Sequence, residues 1–200
     1  MTELAVRYRR KTTRHEVQAA VPKGAVTRLH VPDEDAKAHL VTAVLKARCE
    51  PDEDLELFGE SAAELAGPRR RQLLARVGAV SPIVGLVTNL NAWENISLPA
   101  AYHGSPRLER VVSLTHEVLA AFGADPDHFL ARIPDELGML ERKMAAFVRS
   151  LIATPELMVF DALEDGLSSA ECRYIARFEA EYRARAPQGT VLYVDTREDS

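Results

Sequence analysis

Cysteine is nearly absent. Cys49 and Cys172 are the two in a chain of 200 residues, they stand in dissimilar contexts, and no CxxC pair is present. That excludes a disulfide framework and points to reduced thiols in a cytosolic protein. Long hydrophobic runs are missing too: no stretch of 18 apolar residues is available to span a bilayer, and Met1-Thr2-Glu3-Leu4 lacks the apolar core of a signal peptide. The expected location is cytoplasmic, and any place at the inner face of the plasma membrane is reached through a partner. The six histidines, His15, His30, His39, His103, His116 and His128, show neither i,i+4 pairing nor cysteine company, so no metal site is assigned. Without a secretory signal the sequon Asn95-Ile96-Ser97 is a chance match. Positive charge is in deficit, with a net charge of −5, and Arg69-Arg70-Arg71 is followed by Leu73 and Leu74 in the manner of a solvated helix face. Nucleic acid is therefore not an expected partner. Internal repeats and low-complexity tracts are also lacking. What remains is a chain with 46% hydrophobic residues, enough for one sizeable core with an attached subdomain.

The hydrophobic pattern alternates between strand and helix periods. Residues 4 to 31 read as short strands around polar turns, with Val21-Pro22-Lys23-Gly24 as a turn and Ala25 to Val31 as a strand. Leu40, Val41, Val44 and Leu45 place a helix from about Asp35. A turn at Glu50 to Asp54, a strand at Leu55 to Gly59, a polar helix from about Ala62 to Leu74 and a buried strand at Val77 to Val80 follow. From Ile83 the apolar residues run through Leu90, Trp93, Ile96 and Leu98 to Pro99. Helices are then expected from about Pro106 to Phe122 and from Leu140 to Ala153. Leu157-Met158-Val159-Phe160 is a fully apolar strand ending in Asp161, a helix covers Ser169 to Arg185, and Val191 to Val194 is another buried strand. Strands alternating with helices indicate an α/β fold on a parallel sheet.

One stretch carries a chemical suggestion. Strand, tight loop, lysine and helix follow one another through Val31-Pro32-Asp33-Glu34-Asp35-Ala36-Lys37-Ala38-His39, the order of a phosphate-binding P-loop. The loop has no glycine to turn backbone N–H groups inward, and Ala38 stands where a hydroxyl would bind magnesium. Asp33, Glu34 and Asp35 instead bring an anion to the helix N-terminus, whose dipole attracts one. Like charges near 4 Å repel by roughly 4 kcal/mol per pair at an effective dielectric of about 20, so these carboxylates oppose a bound triphosphate. An ordinary helix cap with acidic first-turn residues reads from the same stretch.

Along almost its whole length the chain resembles the nucleotide-binding subunit of ABC transporters. The turn before Ala25, the Pro51 to Gly59 segment, Val77 to Pro82, Asn89-Leu90-Asn91-Ala92-Trp93-Glu94-Asn95-Ile96-Ser97-Leu98-Pro99, and Leu137-Gly138-Met139-Leu140-Glu141-Arg142-Lys143 leading through Ala146, Arg149 and Pro155-Glu156-Leu157 match that family's order. The resemblance implies a P-loop NTPase-like (RecA-like), mostly parallel core with a small antiparallel β subdomain, formed by residues 1–82 and 151–200. It also implies an inserted α-helical subdomain at 83–150. The departures fall on the chemistry. In the signature segment Leu137, Gly138, Met139, Leu140 and Glu141 stand in place of LSGGQ. Ala162 stands at the general-base position after Asp161, Pro82 at the Q-loop glutamine, Ser168 at the D-loop aspartate and Thr196 at the switch histidine. A methyl group accepts no proton, and general-base catalysis is typically worth about 10²- to 10⁴-fold.

The resemblance implies a degenerate, non-catalytic member with no catalytic residues and no cofactor, in which Lys37, Ala38 and Asp161 are vestiges of a nucleotide site. The implied partners are a membrane permease and a second, like or related, subunit in a homodimer or heterodimer. Gly85, Leu86, Val87, Leu90 and Trp93 fall in the region that grips the permease, and equally read as the helical subdomain's own core. Phe160 before Asp161 is reminiscent of lipid-transport members. The chain stops at Arg197-Glu198-Asp199-Ser200, earlier than usual in the family, so elements that reinforce the dimer are expected to be missing. Two other readings stay open: an active or slow ATPase using Mg-ATP through Lys37 and Asp161, and a soluble scaffold with no transporter.

Overall fold

The computed structural model describes residues 3–12, 16–103 and 108–196. The expectations placed on Met1, Thr2, His15, Pro106 and Arg197 to Ser200 lie outside those residues. The chain divides into two compact units, one of residues 1–77, 156–162 and 188–200, the other of residues 78–155 and 163–187.

The first unit holds two sheets. β1 (Leu4–Lys11), β2 (Glu16–Pro22), β4 (Glu53–Leu57) and β5 (Glu60–Ser61) form an antiparallel sheet in the order β2-β1-β4-β5. Tyr8 faces Ala19 on one side and Leu55 on the other. Val6, Tyr8, Val17, Ala19, Val21, Leu55 and Leu57 point inward at every second position, while Arg7 and Arg9 point out to Glu56 and Asp54. The β4–β5 hairpin turns through Phe58 and Gly59, both at positive φ (51° and 83°), as a two-residue primed turn requires. In the second sheet β3 (Val26–Val31), β8 (Thr190–Thr196) and β7 (Leu157–Asp161) run parallel in the order β3-β8-β7. Every residue of β7 and the first five of β8 are buried, as in central parallel strands covered on both faces. Helix α1 (Glu34–Lys46) lies against β3, β4 and β8 through Ala36, Leu40, Val41, Ala43 and Val44. The polar helix expected from Ala62 begins later: after a 3₁₀ turn at Ala62–Glu64, α2 spans Gly67–Leu74. Pro68 has no N–H and is tolerated only in a first helical turn, which sets that start.

The second unit is helical: α3 (Ala92–His103), α4 (Leu108–Ala121), α5 (Pro126–Ala131), α6 (Met139–Ile152), α7 (Ser169–Cys172) and α8 (Ile175–Arg185). The chain enters it along β6 (Val77–Val80). The last part of the apolar run, from Ala92 through Pro99, is itself helical, because Asn91 Oδ1 accepts from the Glu94 N–H and Glu94 Oε2 from the Asn91 N–H, both at 2.8 Å. That reciprocal box starts α3 strongly enough to carry Pro99 inside it. The single helix expected over Ser169 to Arg185 is broken at Arg173-Tyr174, where Tyr174 and Arg177 make short i→i−3 bonds to Glu171 and Tyr174. α6 is the central helix: Met144 to Val148, Leu151 and Ile152 are buried, and Phe147 meets Phe122 and Phe178 edge-on at centroid distances of 6.2 and 5.1 Å.

Thr115, fully buried on α4, has a hydroxyl with no hydrogen-bond partner among the described residues. Thr115→Val replaces it with a methyl group of the same shape and is expected to raise stability by about 1 kcal/mol, read from the urea midpoint.

Candidate functional site

The candidate site of the first unit lies where β3 runs into α1. Val31 ends the strand, Glu34 begins the helix, and Pro32 and Asp33 are the whole connection. The connection is two residues long and contains no glycine. Asp33 is the N-cap, extended at φ −158°, and its Oδ1 accepts from the Ala36 N–H at 2.8 Å. One of the helix's orphan donors is thus taken by the chain itself.

The other two carboxylates have partners as well. Lys37, 8% exposed, puts Nζ 2.9 Å from Glu34 Oε2 and 3.9 Å from Oδ1 of the buried Asp161. Glu34 Oε1 accepts from the Thr196 hydroxyl at 3.2 Å. The hydrogen bond from Lys37, helped by its charge and by Thr196 and opposed by burial, holds the Glu34 carboxyl below the usual glutamate pKa. Asp35 takes Arg10 Nη1 at 3.1 Å and faces His39 Nε2 at 3.8 Å. Arg10 also reaches Asp52 at 2.9 Å. The buried Glu53 accepts from Tyr8 OH, the Glu50 N–H and His39 Nδ1, each at 2.9 Å. Burial first, then the bond to Glu53, raises the Tyr8 pKa, so the phenol stays a donor.

Of the residues singled out in the sequence, the structure brings Lys37, Asp161 and Thr196 into one chain of contacts, with Glu34 linking Lys37 to Thr196. Ala38 is exposed one residue on. Ala162 is buried at the end of β7 in the left-handed region (φ 52°), its N–H directed at the Val194 carbonyl at 3.4 Å. Its side chain is a methyl group, which accepts no proton. The sequence reading missed Glu34 as a bridge, although its place in the first turn three residues before Lys37 was visible. It also missed Arg10, His39 and Glu53, which no local pattern connects.

In the second unit the signature-like segment begins α6. Leu137 is buried, and Gly138 is the N-cap, its N–H donating to Glu141 Oε2 at 2.9 Å. Arg132 grips the same carboxylate with both terminal nitrogens, Nη1 to Oε2 at 3.0 Å. Burial raises the Glu141 pKa, but the Arg132 and Gly138 bonds outweigh it and leave the carboxyl below its ordinary value. Leu140 is half-buried. Met139, 44% exposed, lies over Gly166, where a Cβ would sit 3.2 Å from its Cγ and Cε. Ser168 caps the short α7 with its N–H and hydroxyl on Glu171. Pro82 is exposed in a 3₁₀ turn over Pro82–Val84, and Gly85 is exposed beyond it. Ile83 and Val87 are 39% and 43% exposed, while Leu86, Leu90 and Trp93 are half-buried.

Solved structures share this architecture. cbiO1 from Clostridium perfringens, described as part of the ABC transporter complex cbiONQ, superposes with a TM-score of 0.74 at 13% identity, covering 98% of this chain and 79% of that one. The ATP-binding cassette MJ0796, a bacterial ABC transporter cassette solved as a dimer, gives 0.77 at 17% identity, covering 98% and 88%. Its dimeric form bound to ADP and Pi gives 0.75 at 17% identity, covering 99% and 88%. The fold is therefore that of ABC ATPase nucleotide-binding domains, as the order of motifs implied. Among curated proteins the chain is similar to "Probable ribonucleotide transport ATP-binding protein mkl" of Mycobacterium tuberculosis and Mycobacterium bovis, 20% identical over 179 residues, which is 90% of this chain and 49% of theirs. The chain thus spans about half the length of the curated relatives it matches. No protein-family model matches it.

Asp33→Ala removes the cap of α1 and is expected to cost about 1 kcal/mol, read by urea denaturation. Because the Glu34 pKa is depressed on folding, its stabilising contribution is full above the ordinary carboxylate range and is lost as pH falls through the folded value. The difference in thermal midpoint between wild type and Glu34→Gln is expected to be present at neutral pH and to close as pH falls below the ordinary carboxylate range.

Proposed function

We propose that this chain is an ABC-type nucleotide-binding-domain homologue whose nucleotide site is filled by its own side chains, and that it works by contact as a non-catalytic subunit of a membrane transport complex. The observation that carries the proposal is Glu34, whose carboxylate bridges Lys37 and Thr196 while Asp33 caps the helix. A triphosphate reaching Lys37 meets an anion already in place, and it finds no glycine loop to hold it. On α6, Glu141 takes the Gly138 N–H, so the segment corresponding to the phosphate-binding signature is also closed by a carboxylate. Magnesium and ATP are accordingly not required for the role proposed.

No helix among the described residues is long and apolar enough to cross a membrane, which fits attachment through a partner at the cytoplasmic face. The partner proposed is a permease, met by the surface around Ile83, Gly85 and Val87, with Leu86, Leu90 and Trp93 supporting it from a half-buried position. Pairing with a second copy or a related subunit belongs to the same reading. Phe160 is a core residue beside Tyr193, 5.0 Å between ring centroids, so packing accounts for it and no transported substrate is proposed.

One observation favours a slow ATPase instead: the buried Lys37 and Asp161 are both retained and lie 3.9 Å apart. Calorimetric titration with Mg-ATP separates the two. No saturable heat is expected with wild type or Lys37→Ala, and saturable binding that Lys37→Ala abolishes would overturn the non-catalytic reading. Against a co-expressed permease, Val87→Asp is expected to reduce recovery of the complex at least tenfold, because a buried unpaired carboxylate at an interface costs upward of about 1.4 kcal/mol.

A further inference from the structure

The connection between β6 and α3 is held by two side chains that no nucleotide chemistry explains. Asn95 is fully buried on α3. Its Oδ1 accepts from the Val87 N–H at 2.7 Å, and its Nδ2 lies within hydrogen-bond distance of the carbonyls of Val87, Leu90 and Asn91 at 3.0 to 3.1 Å. Arg149, on α6, donates from Nη1 to the Gly85 carbonyl at 3.0 Å and from Nη2 to the Val84 carbonyl. No carboxylate pairs with it among the described residues, so its guanidinium serves backbone carbonyls alone. Ser81 closes the near end, its Oγ accepting from the Ile83 N–H at 3.1 Å and its carbonyl from the Val84 N–H at 3.2 Å. The Leu90 N–H completes the far end on the Val87 carbonyl at 3.2 Å.

A loop that must change shape leaves its backbone groups to water, since each buried bond has to be broken at every excursion. This one engages N–H or carbonyl groups of Ile83, Val84, Gly85, Val87 and Leu90 with buried or half-buried protein groups. We propose that Asn95 and Arg149 are positioning residues that lock the segment from Pro82 to Leu90 in one conformation, so that the Ile83–Val87 surface stands preformed and is not switched by nucleotide. Its use as a docking face rests on the function proposed above; the lock itself does not.

Hydrogen exchange followed by mass spectrometry on the full chain, without any partner, reads the lock directly. In wild type the amides of Ile83, Val84, Val87 and Leu90, which donate these hydrogen bonds, exchange slowly, and Mg-ATP leaves their rates unchanged. Arg149→Lys keeps the charge but loses the two-pronged donor, and it speeds exchange of that segment roughly tenfold while the amides of α4 keep their rates. Asn95→Asp keeps the acceptor for Val87 and removes the amide donors, and it gives the same selective loss. Unprotected amides in wild type, a change of rate with Mg-ATP, or Arg149→Lys exchanging as wild type would each overturn the proposal. Slow exchange together with failure to bind a permease would leave the lock standing and remove the docking role.

Discussion

The N-terminus of a helix gathers unsatisfied N–H groups and about half a positive charge, and something anionic has to answer it. In nucleotide-binding folds that demand is the basis of phosphate binding. Here α1 meets it from within, through Asp33 on the Ala36 N–H and Glu34 on Lys37. Once the connection from β3 is only two residues long, the cap is the natural outcome, because Asp33 falls at the one position from which its side chain reaches back to the first turn. The shortness of the loop and the acidity of the first turn are thus one constraint, and the state of Lys37 follows from it.

That constraint spreads through the unit by ion pairs. Asp35 is held by Arg10 of β1, Arg10 by Asp52, and Glu53 by Tyr8 and His39, so the start of α1 is tied to the antiparallel sheet. The exposed members of this network contribute little singly, since solvent screens them. The buried Glu53 differs: with three donors satisfied it fixes the geometry, and stripped of them it would be a costly isolated charge. The helical unit repeats the logic on α6, where Glu141 closes onto Gly138 and Arg132 closes onto Glu141. In both places a carboxylate supplied by the chain satisfies N–H groups at a helix start.

The helical unit shows a second economy of means. α6 carries the aromatic contacts of its core through Phe147, the capped start at Gly138, and Arg149 on the loop after β6. One rigid helix therefore fixes three features of different chemical kind. The loop held by Arg149 and Asn95 keeps Ile83 and Val87 at the surface while its backbone is satisfied inside.

Much of this was legible in residue order. The unbroken apolar runs of β7 and β8 announce central parallel strands, and the spacing of Leu40, Val41 and Val44 announces α1. Identity alone fixes Ala162 as a methyl group and Pro82 as a residue with no N–H. Local periodicity suffices for such features because each depends on neighbours within a few residues. Tertiary structure decided the rest. That Glu34 faces Lys37 and Thr196 together, 162 positions separating it from the latter, depends on β3 and β8 lying side by side. The seating of Asn95 beneath its loop likewise depends on what packs around it. A side chain's partner is set by proximity in space, which the pattern of a sequence constrains but does not specify.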